Sequence, residues 1–329
     1  MASVVFMGTP DFAAGILRSL IDAGYEVKGV FTQPDRPKGR KGILQMPPVK
    51  EMALEEGIPV FQPEKIRLPE NVQLLQQLNP DFIVAAAFGQ IIPQSILDIP
   101  QFGCLNVHAS LLPSWRGAAP IQWSILAGDR VTGVTIMRMN AGLDTGDMIL
   151  KKEVSIREDE TGDSLFDRLM AEGAALLPQA MEQILSGSAV YTPQPEVSPT
   201  PYAKMLTRQS GIIDWNQDAG HIARMVRAFD SWPGTCTFLH SKMLKVLKAG
   251  EVPSGEAAVI EQEALSGTGR GAALSGEILR ARKDELIVRT GSGALRLLEV
   301  QPEGKKRMEA DAFLRGYHLQ PGDVFQQQR

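Results

Sequence analysis

Cys104-Leu-Asn-Val-His-Ala-Ser-Leu-Leu-Pro-Ser-Trp-Arg-Gly-Ala-Ala-Pro120 is the stretch from which the rest of the chain can be read. Its first five residues make an apolar strand with polar groups at alternate positions. Side chains alternate faces along a strand, so Asn106 and His108 share one face while Leu105 and Val107 turn into the opposite layer. An amide hydrogen-bonds without titrating, and an imidazole exchanges a proton near neutral pH. The pair therefore suits a reaction that develops an oxyanion and moves a proton, which is carbonyl-transfer chemistry. Pro113 and Gly117 mark a loop after the strand, and Pro120 fits the first turn of a helix over 121–126. In an open α/β sheet, such a strand-loop-helix junction lies at the carboxyl ends of the strands, where ligands bind.

The flanking segments predict that sheet. A short apolar strand at 4–6 runs into Gly8-Thr-Pro-Asp, with Thr9 expected as the N-cap and Pro10 as the first residue of a helix carrying Phe12, Ile16, Leu17, Leu20 and Ile21. Only one glycine lies in this turn. The three-glycine dinucleotide fingerprint is missing, which disfavours a nicotinamide dehydrogenase. Strands follow at 27–32, 59–61 and 82–87, with helices at 49–56 and 71–78. Residues 33–48 are too long for an ordinary βα connection, and loops of that length in compact domains usually carry function. Strands at 134–139 and 148–154 flank the turn 140–146, which carries Asp144, and a helix over 163–185, interrupted by Pro178, closes the unit. The fold class is α/β and Rossmann-like over 1–188.

Prolines at 193, 195, 199 and 201 give an extended proline-rich linker, 189–206. Beyond it, a short helix at 221–229 and strands at 235–239, 243–247, 277–281, 286–290 and 295–300 predict a small β-barrel, oligonucleotide-binding-like, over 207–329. Residues 250–276 read as a loop.

The chain has 329 residues and 43% hydrophobic content, enough for two cores, and no apolar run approaches the roughly 18 residues of a membrane span. No leader is expected before the first strand, so the expected location is the cytoplasm. The two cysteines, Cys104 and Cys236, lack any metal-type spacing and read as packing residues. Net charge is −4 but uneven: residues 1–200 hold 16 Lys and Arg against 23 Asp and Glu, whereas 201–329 hold 18 against 15. A nucleic-acid partner would have to meet local patches, and Arg36, Lys38, Arg40 and Lys41 crowd one loop. A second patch contains Lys242, Lys245, Lys248, Arg280, Arg282, Lys283, Lys305, Lys306 and Arg307.

The run from Asn106 to Pro113, the following Trp115-Arg-Gly-Ala-Ala-Pro-Ile-Gln122, the turn Gly142-Leu-Asp-Thr-Gly-Asp-Met148 and the opening Gly8-Thr-Pro-Asp-Phe12 together resemble the methionyl-tRNA formyltransferase family. The likeness covers nearly the whole chain. It implies transfer of a formyl group from 10-formyltetrahydrofolate to the α-amino group of methionyl initiator tRNA, by a bacterial cytoplasmic monomer; His108, Asp144 and Asp147 lack the spacing of a metal site, so no metal is expected. It assigns oxyanion stabilisation to Asn106 and His108, and orientation of His108 and acceptance of the amine proton to Asp144. Folate would lie against Phe88, Gly89, Gln90 and Ile91 and against Ser110, Leu111, Leu112 and Pro113. The tRNA would meet Arg36, Lys38, Arg40, Lys41, Lys204 and Arg208. Ser114 departs from the family, which is often basic there. Two other functions share parts of this pattern: formylation of a small amine such as a sugar nucleotide or glycinamide ribonucleotide, and RNA binding without catalysis.

Overall fold

The structure, a computed structural model, describes residues 2–38, 42–266 and 270–327. The chain forms two compact units. One comprises Met1–Pro120, Arg130–Ile156 and Ser164–Lys204; the other comprises Ile121–Asp129, Arg157–Asp163 and Met205–Arg329. Two short internal segments therefore pack with the C-terminal residues, held there by Arg224 Nε donating to Leu126 O (3.1 Å) and Arg227 Nη1 donating to Glu160 O (2.8 Å).

In the first unit the strands are β1 (Ser3–Gly8), β2 (Glu26–Phe31), β3 (Arg36–Lys38), β4 (Ile43–Gln45), β5 (Val60–Phe61), β6 (Phe82–Ala86), β7 (Cys104–His108), β8 (Val131–Arg138) and β9 (Met148–Ser155). The helices are α1 (Asp11–Asp22), α2 (Pro48–Glu55), α3 (Pro69–Leu78), α4 (Gln94–Leu97), α5 (Pro120–Ala127), which passes into the second unit, and α6 (Gly162–Leu185). Seven strands make one sheet in the order β5-β2-β1-β6-β7-β8-β9, parallel as far as β7 and antiparallel beyond it. Strands β1 and β6 are buried along their whole length, as expected where helices cover both faces of a parallel sheet. Strand order reverses between β1 and β6. That switch point is where a crevice opens at the carboxyl ends of an α/β sheet, and β7 lies directly beside it.

Three local expectations need correction. Thr9 does not cap α1, whose N-cap is Pro10; the Thr9 hydroxyl instead donates to Phe88 O at 3.4 Å and accepts from Gln33 N at 3.4 Å, tying β1 to the loop after β6. Pro178 does not interrupt α6. The segment 33–48, read as one long loop, contains an antiparallel pairing of β3 with β4.

The second unit is built from α7 (Ala219–Ala228), β10 (Thr235–Leu239), β11 (Lys242–Val252), α8 (Ser254–Leu265), β12 (Ile278–Arg282), β13 (Glu285–Arg289), β14 (Ala294–Pro302), β15 (Met308–Glu309) and α9 (Ala310–Gly316). Its antiparallel sheet runs β10-β11-β14-β13-β12, with β15 on β14. The C-terminal segment bridges both edges: Val324 pairs with Glu277, just before β12, and Gln326 pairs with Phe238 of β10. This closure makes the unit barrel-like, around Trp215, Ile222, Val246, Leu286, Leu297 and Phe313. Residues 250–276 are not simply a loop: β11 runs on to Val252, and α8 buries Ala257 and Ile260 against Leu279 and Ile287.

Candidate active site

Strand β7 delivers Asn106 and His108 as the alternation requires. Leu105 and Val107 are buried in the opposite layer, where Gly173 lets α6 close on the strand; a Cβ there would lie 2.9 Å from Val107 Cγ1. His108 is 5% exposed, and its Nε2 lies 3.1 Å from Trp115 O. A carbonyl can only accept, so Nε2 carries the hydrogen and Nδ1 is the ring nitrogen turned to the site.

Asp144 joins them from the turn between β8 and β9. Its Oδ1 lies 3.5 Å from Asn106 Nδ2 and 3.9 Å from His108 Nδ1, and its Oδ2 accepts from Gly117 N at 2.9 Å. The imidazole and carboxylate are thus neighbours without a direct hydrogen bond, and the gap between them can be spanned by a group that gives up a proton. Asp144 has φ 53°, a left-handed conformation that costs a residue with a side chain about 1–3 kcal/mol and survives where surroundings hold it. The holding is visible. Gln194 Nε2 donates to both Asp144 O (2.9 Å) and Gly146 O (2.7 Å), while Asn140 Oδ1 accepts from Gly142 N and Thr145 Oγ1.

Gln194 lies in the proline-rich segment, which behaves as a strap over the loop after β7. Buried Arg116 gives Nε to Gln194 Oε1 (3.0 Å), Nη2 to Pro195 O (2.7 Å) and Nη1 to Glu196 O (3.2 Å). Ser198 Oγ donates to Pro113 O at 2.8 Å, and Thr200 Oγ1 accepts from Trp115 N at 2.6 Å. Ala203 N donates to Arg116 O, and Ala203 O accepts from Ala118 N. Trp115 is therefore fixed at its amide by Thr200 and at its carbonyl by His108. The sequence reading missed Gly117, Trp115, Gln194 and Thr200 as site residues. Trp115 and Gly117 stood in the stretch already singled out, whereas the only linear signal of Gln194 and Thr200 was polar side chains set between the prolines of a segment read as a connector.

The other expected residues are placed as follows. Phe88 is buried, with its carbonyl held by Gln33 Nε2 (3.1 Å) and Thr9 Oγ1; Gly89 has φ 80°; and Ile91 is 77% exposed. Gln90 turns inward, accepting from Ile66 N (2.7 Å) and donating to Pro63 O (3.0 Å), so its side chain shapes the loop instead of facing a ligand. Ser110 donates to Ser114 O at 2.6 Å, Leu112 N to Thr135 Oγ1 at 3.0 Å, and the Leu112–Pro113 peptide is cis. Leu111 packs at Gly133. Arg36 and Lys38 sit on β3, in register with Gln45 and Ile43, and Arg40 and Lys41 lie outside the described residues. Lys204 ends the strap, and Arg208 is exposed at the start of a 3-10 turn. Burial pushes the Cys104 thiol up to about 12, so it packs and does not react at neutral pH. Among the described residues, no group of three or more His, Cys, Asp or Glu is placed to hold a metal ion, and no helix is long and apolar enough to cross a membrane.

An amide, an imidazole and a carboxylate meeting beside the switch point of an α/β sheet define a group-transfer enzyme. Residues 1–181 match the formyl transferase family and residues 205–318 match the formyl transferase C-terminal domain, so the chain belongs to this family, and its relatives place it among the methionyl-tRNA formyltransferases. The methionyl-tRNA formyltransferase of Agathobacter rectalis is 49% identical, covering 98% of this chain and 99% of that protein. Its counterpart in Bacillus subtilis is 46% identical, covering 98% of each. Among solved structures, WlaRD, a sugar 3N-formyl transferase, shares the fold at 16% identity with a TM-score of 0.62, covering 93% of this chain and 99% of that one. HypX from Aquifex aeolicus in complex with tetrahydrofolic acid does so at 18% identity and 0.60, covering 95% of this chain and 47% of that one.

Proposed function

We propose that Asn106, His108 and Asp144 carry out the transfer of a formyl group from 10-formyltetrahydrofolate to the α-amino group of methionyl initiator tRNA. One observation carries the assignment: Asp144 Oδ1 approaches both Asn106 Nδ2 and His108 Nδ1. The amine attacks the formyl carbon, forming the C–N bond and leaving a negative oxygen. Asn106 Nδ2 and the Nδ1–H of protonated His108 donate to that oxygen. Asp144 accepts the proton shed by the attacking nitrogen, directly or through a water. The bond to the folate nitrogen then breaks, that nitrogen takes the His108 proton, and the proton on Asp144 returns to the ring.

The loops after β6 and β7 suit a flat donor with an amide edge. Gly89 and Ile91 are exposed, and their amides have no protein acceptor among the described residues. Phe88, Gly89, Gln90 and Ile91 thus supply backbone donors and an apolar surface, and Ser110, Leu111, Leu112 and Pro113 form the opposite wall. Arg36, Lys38, Arg40, Lys41, Lys204 and Arg208 meet tRNA phosphates. Cations in a Pro- and Gly-rich loop cannot all be buried, so water or an anionic partner must take them. The protein acts as a monomer in the bacterial cytoplasm, with residues 1–188 catalytic, 189–206 linking and 207–329 binding tRNA.

The test is single-turnover transfer with saturating donor and charged initiator tRNA. Asn106→Ala and His108→Ala should each slow the chemical step by about a hundred-fold or more, as loss of an oxyanion donor does, while donor and tRNA dissociation constants stay within about two-fold. Near-normal turnover in either variant removes that residue from the chemistry.

A further inference from the structure

The end of the strap carries a side chain that the catalytic trio does not use. Tyr202 is 42% exposed, and among the described residues its hydroxyl has no hydrogen-bond partner. Its ring lies against Gly117: a Cβ at 117 would sit 2.8 Å from Tyr202 Cζ and 2.5 Å from Ala203 O. Gly117 also has φ 129°, and its neighbours bond to Ala203 on both sides, so the tyrosine is fixed to the catalytic loop through the backbone. The same glycine gives its amide to Asp144 Oδ2. One side of the ring is therefore seated on the residue that holds the carboxylate, while the ring keeps a large exposed area. The phenol lies close enough to that carboxylate for its pKa to be raised, by burial first and by the Asp144 charge second. No core packing requires a half-exposed aromatic here, and the adjacent reacting group is the one assigned to the acceptor amine.

We propose that the Tyr202 ring is the platform on which the unpaired 3′ end of the acceptor stacks, so that the terminal base rests on the phenol while the aminoacyl nitrogen reaches Asp144. Only a ribose, an ester link and one α-carbon separate that base from the amine, so a surface beside Asp144 can meet it. Unstacked bases at nucleic-acid ends are commonly held on exposed aromatic rings, and such a ring accepts any base because every base has a π-face. This rests on the reading that Asp144 meets the acceptor amine. On the same reading the donor lies against the loops at 88–91 and 110–113, which leaves the Tyr202 ring for the acceptor.

The experiment uses the full chain and charged initiator tRNA carrying 2-aminopurine in place of its terminal adenine. Stacking on Tyr202 quenches the fluorophore on binding, and this signal needs no turnover, so it stands or falls apart from the roles of Asn106, His108 and Asp144. The wild type and Tyr202→Phe should quench equally. Tyr202→Leu, which keeps bulk over Gly117 without a π-face, and Tyr202→Ala should lose the quench. Both should also raise KM for charged tRNA about ten-fold, within the usual worth of one stacked base, with kcat and donor affinity unchanged. Full quenching in Tyr202→Leu overturns the proposal. So does a loss in Tyr202→Phe equal to that in Tyr202→Ala, which would assign the effect to the hydroxyl, or a change in donor affinity, which would place the ring on the folate side.

Discussion

Replacing Gln194 with Ala tests whether the strap sets the chemistry. The amide of Gln194 uses all its roles at once: Nε2 donates to Asp144 O and Gly146 O, and Oε1 accepts from Arg116 Nε. Truncation removes three hydrogen bonds, two of them to the turn. At about 1 kcal/mol net each, the turn loses about 2 kcal/mol of support. The left-handed backbone at Asp144 needs support of that order, about 1–3 kcal/mol, so the turn should leave its catalytic geometry for most of the time. A shift of about 2 kcal/mol corresponds to about a 30-fold change in population, at about 1.4 kcal/mol per ten-fold. The single-turnover rate should fall by about that factor, while the donor dissociation constant, which depends on the loops at 88–91 and 110–113 and not on Gln194, stays within about two-fold. Gln194→Glu should be no better, because its carboxylate keeps the Arg116 partner but turns only acceptors toward two carbonyls. Transfer within about three-fold of wild type in Gln194→Ala would show that Asp144 holds its position without the strap, and the reasoning would fail.

Arg40→Ala should weaken binding of charged initiator tRNA and flatten its salt dependence by about one counterion, with donor affinity unchanged. A titration at several salt concentrations measures this, and an unaltered slope would remove Arg40 from tRNA recognition. Glu277 is buried under a paired Arg270 at 2.5 Å, which with the Leu274 amide holds its carboxyl below the ordinary 4.5 despite burial. A folded-state pKa lowered in this way adds stability that is present above about pH 4.5 and lost as the pH falls through the folded value. Glu277→Gln should therefore lower the melting temperature at pH 7 by removing about 1–2 kcal/mol and blunt the acid-side loss seen in the wild type. Coincident melting curves across pH 3–7 would rule the pair out.

How much was legible followed from the range of the interactions. The β7 alternation and the apolar runs of β1 and β6 are local patterns of burial, and they predicted strands, sheet class and the shared face of Asn106 and His108. The turn carrying Asp144 was legible as a turn. Its attachment was not, because it depends on Gln194, 50 residues away, and four prolines made that segment look like an inert connector. Thr9 has the chemistry of a cap, yet a tertiary partner at Phe88 took its hydroxyl. Helix α8 was hidden because Gly255 and the scattered Glu256, Glu261 and Glu263 surround only two buried positions, Ala257 and Ile260. The inward turn of the Gln90 side chain was not legible either, because its partners Ile66 N and Pro63 O lie more than 20 residues away.

Asp144 joins every part of the site: the strand pair, the Gly117 amide and the strap all converge on it. The most direct measurement is the formyl-transfer rate of Asp144→Asn in a preformed complex with donor and charged initiator tRNA, beside dissociation constants for both. Asparagine keeps the size and can still accept from Gly117 N, but it cannot take the amine proton. The rate should fall by at least about a hundred-fold, the ordinary worth of a positioned base, with both dissociation constants within about two-fold. Wild-type transfer in Asp144→Asn would contradict the assignment, leaving Asp144 a turn residue and placing the proton acceptor elsewhere.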